Sequence, residues 1–241
     1  LQIIPIHISK EIELGDDLSE LITNSVEVKD NDILVIAQKV ISKQEGRIVN
    51  LSSVFPSLLA KGISSQYKKN PQIVELILSE SKKIVRMYDG IIIVETKAGF
   101  ICANAGIDES NVKNGYATLL PEDSDSSAKK IKNEILKKTG HVVSVIISDT
   151  FGRPFRMGQT NCAIGISGIK PILDYAGTED NFGNIMRVTA IAIADEICGC
   201  AELVMGKTTK CPVVIIRNYE YQKDSSSIRE LIRLEKEDLF R

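Results

Sequence analysis

The sequence predicts an α+β protein built from mixed sheets and helices. Three observations carry this. Residues 32–37 (DILVIA) and 142–147 (VVSVII) are apolar, β-branched runs that read as buried strands. Asp89-Gly90 is a hairpin turn signal between two further apolar runs. Helical patterns with start and stop residues lie between these strands. Hairpins beside strand–helix–strand units favour an α+β arrangement over a doubly wound parallel sheet.

In chain order, residues 3–8 alternate weakly and read as an edge strand. Gly15-Asp16-Asp17-Leu18 looks like a turn and helix start, with Leu18, Leu21, Ile22 and Val26 at helical spacing. The buried strand at 32–37 runs into a polar, basic stretch, residues 38–47 (QKVISKQEGR). Residues 51–67 and 70–83 read as two helices, the second opened by Asn70 as cap and Pro71 at the first helical position. Strands are expected at 84–88, 91–96 and 100–103. A polar run rich in small residues, 104–111, follows.

An acidic loop, 122–125, leads into a helix from 126 to 139, closed by Gly140. The strand at 142–147 comes next, and another is expected at 161–167. Residues 187–204 read as the longest helix, mostly apolar. A strand at 212–217 and an amphipathic helical tail from Ser225 complete the chain.

The most informative segment is Ser148-Asp149-Thr150-Phe151-Gly152-Arg153-Pro154-Phe155-Arg156-Met157-Gly158-Gln159. A carboxylate stands at the carboxyl end of a core strand, and two arginines follow at once. An acid can hold a hard cation, while guanidinium and glycine N–H groups hold phosphate or carboxylate oxygens. Strand ends are favoured ligand positions in α/β sheets. Asp108 is a second hard oxygen donor of the type Mg²⁺ or Mn²⁺ prefers, with Asn111 beside it.

Composition narrows the function. The chain is 43% hydrophobic and 26% charged, which excludes disorder as its main character. With 30 basic and 32 acidic side chains the net charge is -2, so no global basic field draws it to nucleic acid. Aromatic residues are too few for a base-stacking platform. No apolar run approaches the ~20 residues of a membrane span. The cysteines at 102, 162, 198, 200 and 211 read as reduced core thiols, which points to the cytoplasm. Cys198-Gly-Cys200 is too close for the usual zinc pair.

Residues 201–208 (AELVMGKT) match a loose Walker A pattern. The context is wrong, because a P-loop follows a strand and precedes a helix. Here a helix precedes and a strand follows. Gly206 reads as a helix end, with Lys207 carrying a charge that can still meet phosphate.

The strings GDDL (15–18), QKVISKQEGR (38–47), ICANAGIDESNV (101–112), LLPEDSDSSA (119–128), SDTFGRPFRMGQ (148–159), AIGISGIKPILDY (163–175), VTAIAIADEI (188–197) and AELVMGK (201–207) occur in order over nearly the whole chain. Together they resemble the coenzyme F420-0:gamma-glutamyl ligase family. Phe155 stands where that pattern has Trp, Asn184 where it has Arg, and Asn218 where it has Gly.

The resemblance implies a single domain over 1–241, made of two intertwined subdomains, in a homodimer. It implies a GTP-dependent amide ligase that adds L-glutamate to the terminal carboxylate of F420-0, then through a γ-linkage, by way of an acyl phosphate. Divalent metal (Mg²⁺ or Mn²⁺, two ions) and K⁺ are implied with it. Carried over by motif, Asp108, Asp149 and Thr150 resemble the metal ligands. Ser42, Lys43, Asn111 and the loop of Met205, Gly206, Lys207 and Thr208 resemble the GTP site, and Ser9, Lys10, Glu11 and Ile12 line its guanine or ribose end. Arg153, Arg156 and Lys207 are candidates to clamp the transferring phosphoryl group or a substrate carboxylate. Neither histidine is marked as the base, and Glu196 is one option. Two other readings stay open: a ligase on the same scaffold with a different carboxylate acceptor, and a non-catalytic GTP- or GDP-binding module.

Overall fold

The computed structural model describes residues 1–238. In chain order it contains β1 (Gln2–Ile6), α1 (Leu18–Ser25), β2 (Ile33–Ala37), α2 (Gln38–Gln44), β3 (Ile48–Asn50), α3 (Leu58–Tyr67), α4 (Pro71–Ser79), β4 (Ser81–Tyr88), β5 (Ile91–Thr96) and β6 (Ile101–Ala103). There follow β7 (Tyr116–Thr118), α5 (Ser124–Thr139), β8 (Ser144–Arg153), β9 (Arg156–Ser167), β10 (Leu173–Asp174), β11 (Ala190–Ile191), α6 (Ile193–Met205) and β12 (Val213–Arg217).

The main sheet has the order β1-β12-β2-β8-β9. Its one parallel pair is β2 with β8, and its other neighbours are antiparallel. The fold is α+β with mixed sheets. Central strands read as continuous apolar runs because both faces are covered: Ile33, Leu34, Val35 and Ile36 are fully buried, as are Val145, Ile146 and Ile147. Burial of each such side chain contributes about 1.5–3 kcal/mol.

The apolar residues form two clusters. The larger surrounds the main sheet and takes in one face each of α1, α5 and α6. The smaller joins α3, α4 and β5 through residues such as Ile63, Val74, Ile77 and Ile92.

Caps set the helix starts. The Asp17 carboxylate accepts from the Glu20 N–H, Asn70 from Gln72 N–H, and Asp123 from Ser126 N–H. Gly140 closes α5 in the left-handed region. At Gly165 the strand β9 passes against the start of α5. A Cβ there would lie 2.4–2.6 Å from Ser124, so only glycine allows this approach.

Several elements differ from expectation. The stretch 38–47 contains a helix, α2, because Val40 and Ile41 pack inward. Residues 51–67 are not one helix. Leu51–Ser53 is a 3-10 turn, Pro56 interrupts, and α3 begins after the Ser57 cap. Residues 81–83 leave the helical pattern to extend β4, where pairing with β5 outweighs local propensity.

Residues 187–192 are not helical, since Ala190–Ile191 pairs with Leu173–Asp174; α5, not α6, is the longest helix. The tail from Ser225 forms 3-10 turns at Ile228–Leu231 and Glu235–Glu237, not an amphipathic helix. The end of that expected helix, residues 239–241, lies outside the described residues. Asn218, where the family pattern has Gly, sits at φ 58, a conformation asparagine tolerates.

One buried ion pair fastens the sheet. Asp32 is 1% exposed and accepts two hydrogen bonds from the Arg217 guanidinium, at 2.8 and 2.7 Å. Asp32→Ala would leave that guanidinium without its partner, and a loss of about 3–5 kcal/mol is expected in urea unfolding. A loss below 1 kcal/mol would show that the pair does not fasten β12.

The Asp17 cap gives a pH test. Hydrogen bonds from Ser19 and Glu20, with Lys138 nearby, hold its carboxyl down at about 2 against burial. An unfolded Asp titrates at about 3.9. Its contribution is therefore complete above pH ~4 and fades as pH falls toward 2. Asp17→Ala is expected to cost about 1 kcal/mol at neutral pH, a gap that narrows through that acid window.

Candidate functional site

The site forms where the parallel pair of the main sheet ends. Ala37 lies opposite Ser148 in that pairing. The next residue on one strand opens α2, and the next on the other is Asp149. β8 does not stop there. It continues to Arg153 and turns at Pro154-Phe155 into β9, so the expected loop is a two-stranded arm. Asp149 still stands at the end of the buried part of the strand, since residues 143–148 are buried and Asp149 is half-buried.

Asp108 comes from a different region. Its backbone exchanges two hydrogen bonds with Thr118, at 3.2 and 2.9 Å, beside the smaller core. Its carboxylate accepts from the Ser110 N–H at 2.7 Å, the Ser110 hydroxyl at 2.8 Å and the Lys39 ammonium at 2.5 Å. Burial alone would raise its pKa, but these bonds outweigh it and hold the carboxyl below the usual value.

Asp149 goes the other way. Burial and the negative charge of Asp108 push it up to about 6, against the Thr150 N–H and the cations Lys39 and Lys207. Asp149 thus lies in the field of Asp108 and of two lysines, one of which, Lys39, also bonds Asp108.

Lys207 follows the Gly206 cap of α6. Its ammonium donates to the Thr150 hydroxyl at 2.8 Å and pairs with Glu202 at 2.9 Å. Thr150 donates to the Asn161 carbonyl oxygen at 2.8 Å, and the Asn161 amide donates to Glu202 at 3.0 Å. Thr150 and Asn161 are opposed across β8 and β9, so the sheet register builds this network.

On α2, Lys43 is almost fully buried. It pairs with Glu11 and donates to the Asn111 carbonyl at 2.7 Å. The 9–12 stretch and Asn111 are therefore joined to the site through Lys43. Lys10 points elsewhere and pairs with Asp16.

Other expected residues lie apart. Ser42 is fully buried and donates to Gln38 within α2. Met205 is buried in the main core, while Gly206 and Thr208 are exposed. Arg153 donates to the Met157 carbonyl at 2.8 Å, and Arg156 is exposed near the arm tip. Four residues of strand at about 3.3 Å each separate Asp149 from Arg153, or about 13 Å. Among the described residues neither arginine forms an ion pair with Asp108 or Asp149, although the Arg153 charge reaches Cys162 opposite Asp149. Glu196 is exposed in the first turn of α6.

Sequence reasoning missed Lys39, Asn161 and Glu202. The signal for Lys39 was present: it is four residues from Lys43, hence on the same helix face. It was hidden because 38–47 did not read as helix.

Among the described residues no cluster of three or more His, Cys, Asp or Glu is arranged to hold a metal ion. The donor set is two carboxylates and a threonine hydroxyl. Such a set does not make a closed cage. In residue type it fits a hard cation that keeps several waters. Burial raises Asp149 first and the Asp108 charge adds to it, and a cation bound at these acids would offset both.

A model of the F420-0:Gamma-glutamyl ligase family matches residues 7–218. The chain is 46% identical over 226 residues to the coenzyme F420:L-glutamate ligase of Methanocaldococcus jannaschii, covering 93% of this chain and 90% of that one. It is 43% identical over 235 residues to the protein of the same name from Methanothermobacter thermautotrophicus, covering 94% and 93%. To that of Methanopyrus kandleri it is 40% identical over 246 residues, covering 100% and 98%.

The charge balance at Asp149 can be read directly in metal-free protein. Lys39→Met removes a cation that lowers Asp149, so its carboxyl is expected to titrate above about 6. Asp108→Asn removes an anion that raises it, so titration moves down. The ¹³C shift of the Asp149 carboxyl against pH reports both, and movement in the opposite sense would refute the shared field.

Proposed function

Because the chain belongs to the F420-0:gamma-glutamyl ligase family, we propose that it joins L-glutamate to the terminal carboxylate of coenzyme F420-0, with GTP as the phosphoryl donor. A second glutamate then adds through the γ-carboxylate of the first, giving F420-1 and F420-2. The observation that carries this reading is the meeting of Lys39, Asp108, Asp149, Thr150 and Lys207, from four separate segments, in one electrostatic field.

The chemistry follows from the leaving group. A carboxylate cannot be attacked productively by an amine, since oxide would have to leave. In the reading, a carboxylate oxygen of F420-0 attacks the γ-phosphorus of GTP. A C(O)–O–P linkage forms, the β,γ bond breaks, and GDP departs with the electron pair. The glutamate amine next attacks the acyl carbon, the C–N bond forms, and inorganic phosphate leaves. The proton lost by the amine is taken by a phosphate oxygen or a carboxylate.

Asp108, Asp149 and Thr150 would hold Mg²⁺ or Mn²⁺, which when bound neutralises charge on the β- and γ-phosphates. The residues themselves account for the rest. Lys207, just past the Gly206 cap, is within reach of an oxygen at Thr150 and would steady the transferred phosphoryl group. Lys43 orders the 108–111 turn and the 9–12 stretch, so both nucleotide walls depend on one buried ammonium. Lys39 offsets the acids until substrate arrives.

The arm fits a homodimer. Phe155 and Met157 at its tip are 90% and 96% exposed, and Arg153 and Arg156 stand beside them. In this reading the arm of one subunit brings its arginines to the acids of the other.

The test is one incubation with F420-0, L-glutamate, GTP and Mn²⁺, followed by mass spectrometry. Product heavier by one or more glutamyl units, with GDP formed and nothing without GTP, is expected. GDP without glutamylation would point to another acceptor, and GTP bound without turnover to a binding module. Asp149→Ala is expected to lose nearly all activity with an unchanged melting temperature, and Arg156→Ala to cost about 2–4 kcal/mol in kcat/KM. Mixing the two inactive variants should restore part of the activity if the arginine acts across subunits. No recovery in mixed dimers would refute that arrangement.

A further inference from the structure

An open cleft of about 580 Å³ lies at the other end of the main sheet, between α5 and the segment after β12. Ser144 lines it at the start of β8. Asp149 is five residues along, about 16 Å away. The cleft is separate from the acid-bearing site.

Its charged lining is Lys129, Lys132, Lys223, Asp125 and Asp224. Lys129 and Lys132 are three apart on α5 and share a face. Lys132 is half-buried. Its ammonium crowds Gly168, where a Cβ would lie 2.9 Å from it and 3.0 Å from the Ser144 hydroxyl.

Neither acid forms an ion pair with these lysines. Asp125 accepts from the Ile166 N–H at 2.7 Å, the Ser227 hydroxyl at 2.7 Å and the Ile228 N–H at 3.1 Å, which ties the tail to α5 and β9. Asp224 accepts from the Ser225 N–H at 2.6 Å and the Ser226 hydroxyl at 3.0 Å. Among the described residues no carboxylate oxygen comes within 4.0 Å of the three ammonium groups. The contrast is a smaller cavity of about 230 Å³ beside Phe100, where Arg47 and Lys97 both pair with Glu80.

Lys132 is half-buried, and among the described residues no carboxylate lies within 4.0 Å of its ammonium. An anion in the cleft would give it a close partner. Lysines act as point charges toward phosphate and carboxylate alike, and the cleft's volume is that of a small-molecule site. We infer that this cleft is a second binding site, for a small molecule carrying two or more phosphate or carboxylate groups.

Pyrophosphate and tricarballylate are titrated separately into the full chain by calorimetry, without divalent cation and at constant chloride. Saturable one-to-one binding of at least one probe is expected. Saturation by pyrophosphate alone identifies a phosphorylated ligand, by tricarballylate alone a polycarboxylate, and by both the shared chemistry. Binding should weaken at least tenfold in Lys132→Gln. It should weaken likewise in the Lys129→Gln/Lys223→Gln double variant, whose exposed positions spare the fold. Asp149→Ala should bind as the parent does. Absence of saturation with either probe, unchanged binding in the lysine variants, or loss in Asp149→Ala would each overturn the inference.

Discussion

The parallel pairing of β2 with β8 is the constraint on which the site depends. Both strands are buried on two faces, and their register sets Ala37 opposite Ser148. A one-residue slip would turn every side chain to the other face. In the observed register α2 starts beside Asp149, so its lysines rise next to the carboxylate. Because the strands are locked by burial, the helix start and the acid have little freedom to drift apart. The Asp32–Arg217 pair secures the same sheet from its opposite end.

The site is built under electrostatic tension. Asp149 is pushed up to about 6, while Asp108, with Lys39 and Ser110 as donors, is held low. Two acids in one field cost stability unless cations stand near. Lys39, at the start of α2, and Lys207, just past the end of α6, supply these. The thiols nearby are kept out of this chemistry: burial, with the charge of Asp149, pushes Cys102 up to about 12, where it remains a neutral thiol.

The rest of the chain serves these positions. The smaller core carries the 104–111 turn and so delivers Asp108 to the main sheet. The arm of β8 and β9 carries the two arginines at its exposed end. The tail returns over α5 through Asp125, whose carboxylate is taken up by backbone and serine donors and not by the lysines of the far cleft.

Much of this was legible in the residues. The strands at 32–37, 142–147 and 212–217 stood out because β-branched runs bury both faces. The Asn70-Pro71 start and the Gly140 end held because caps are local chemistry. Asp108, Asp149 and Lys207 were marked by acids and a lysine beside strand and helix ends. Less legible were α2, the break at Pro56, the length of the arm, and the partners Lys39, Asn161 and Glu202. Local pattern reports whether an element is buried. It does not report which element lies beside it, because backbone hydrogen bonds are the same for every residue. The sequence by itself determined the caps, the buried strands and the stock of acids and cations. Only the tertiary structure decided that Ala37 would face Ser148 and that Thr150 would face Asn161, and with that which charges share one field.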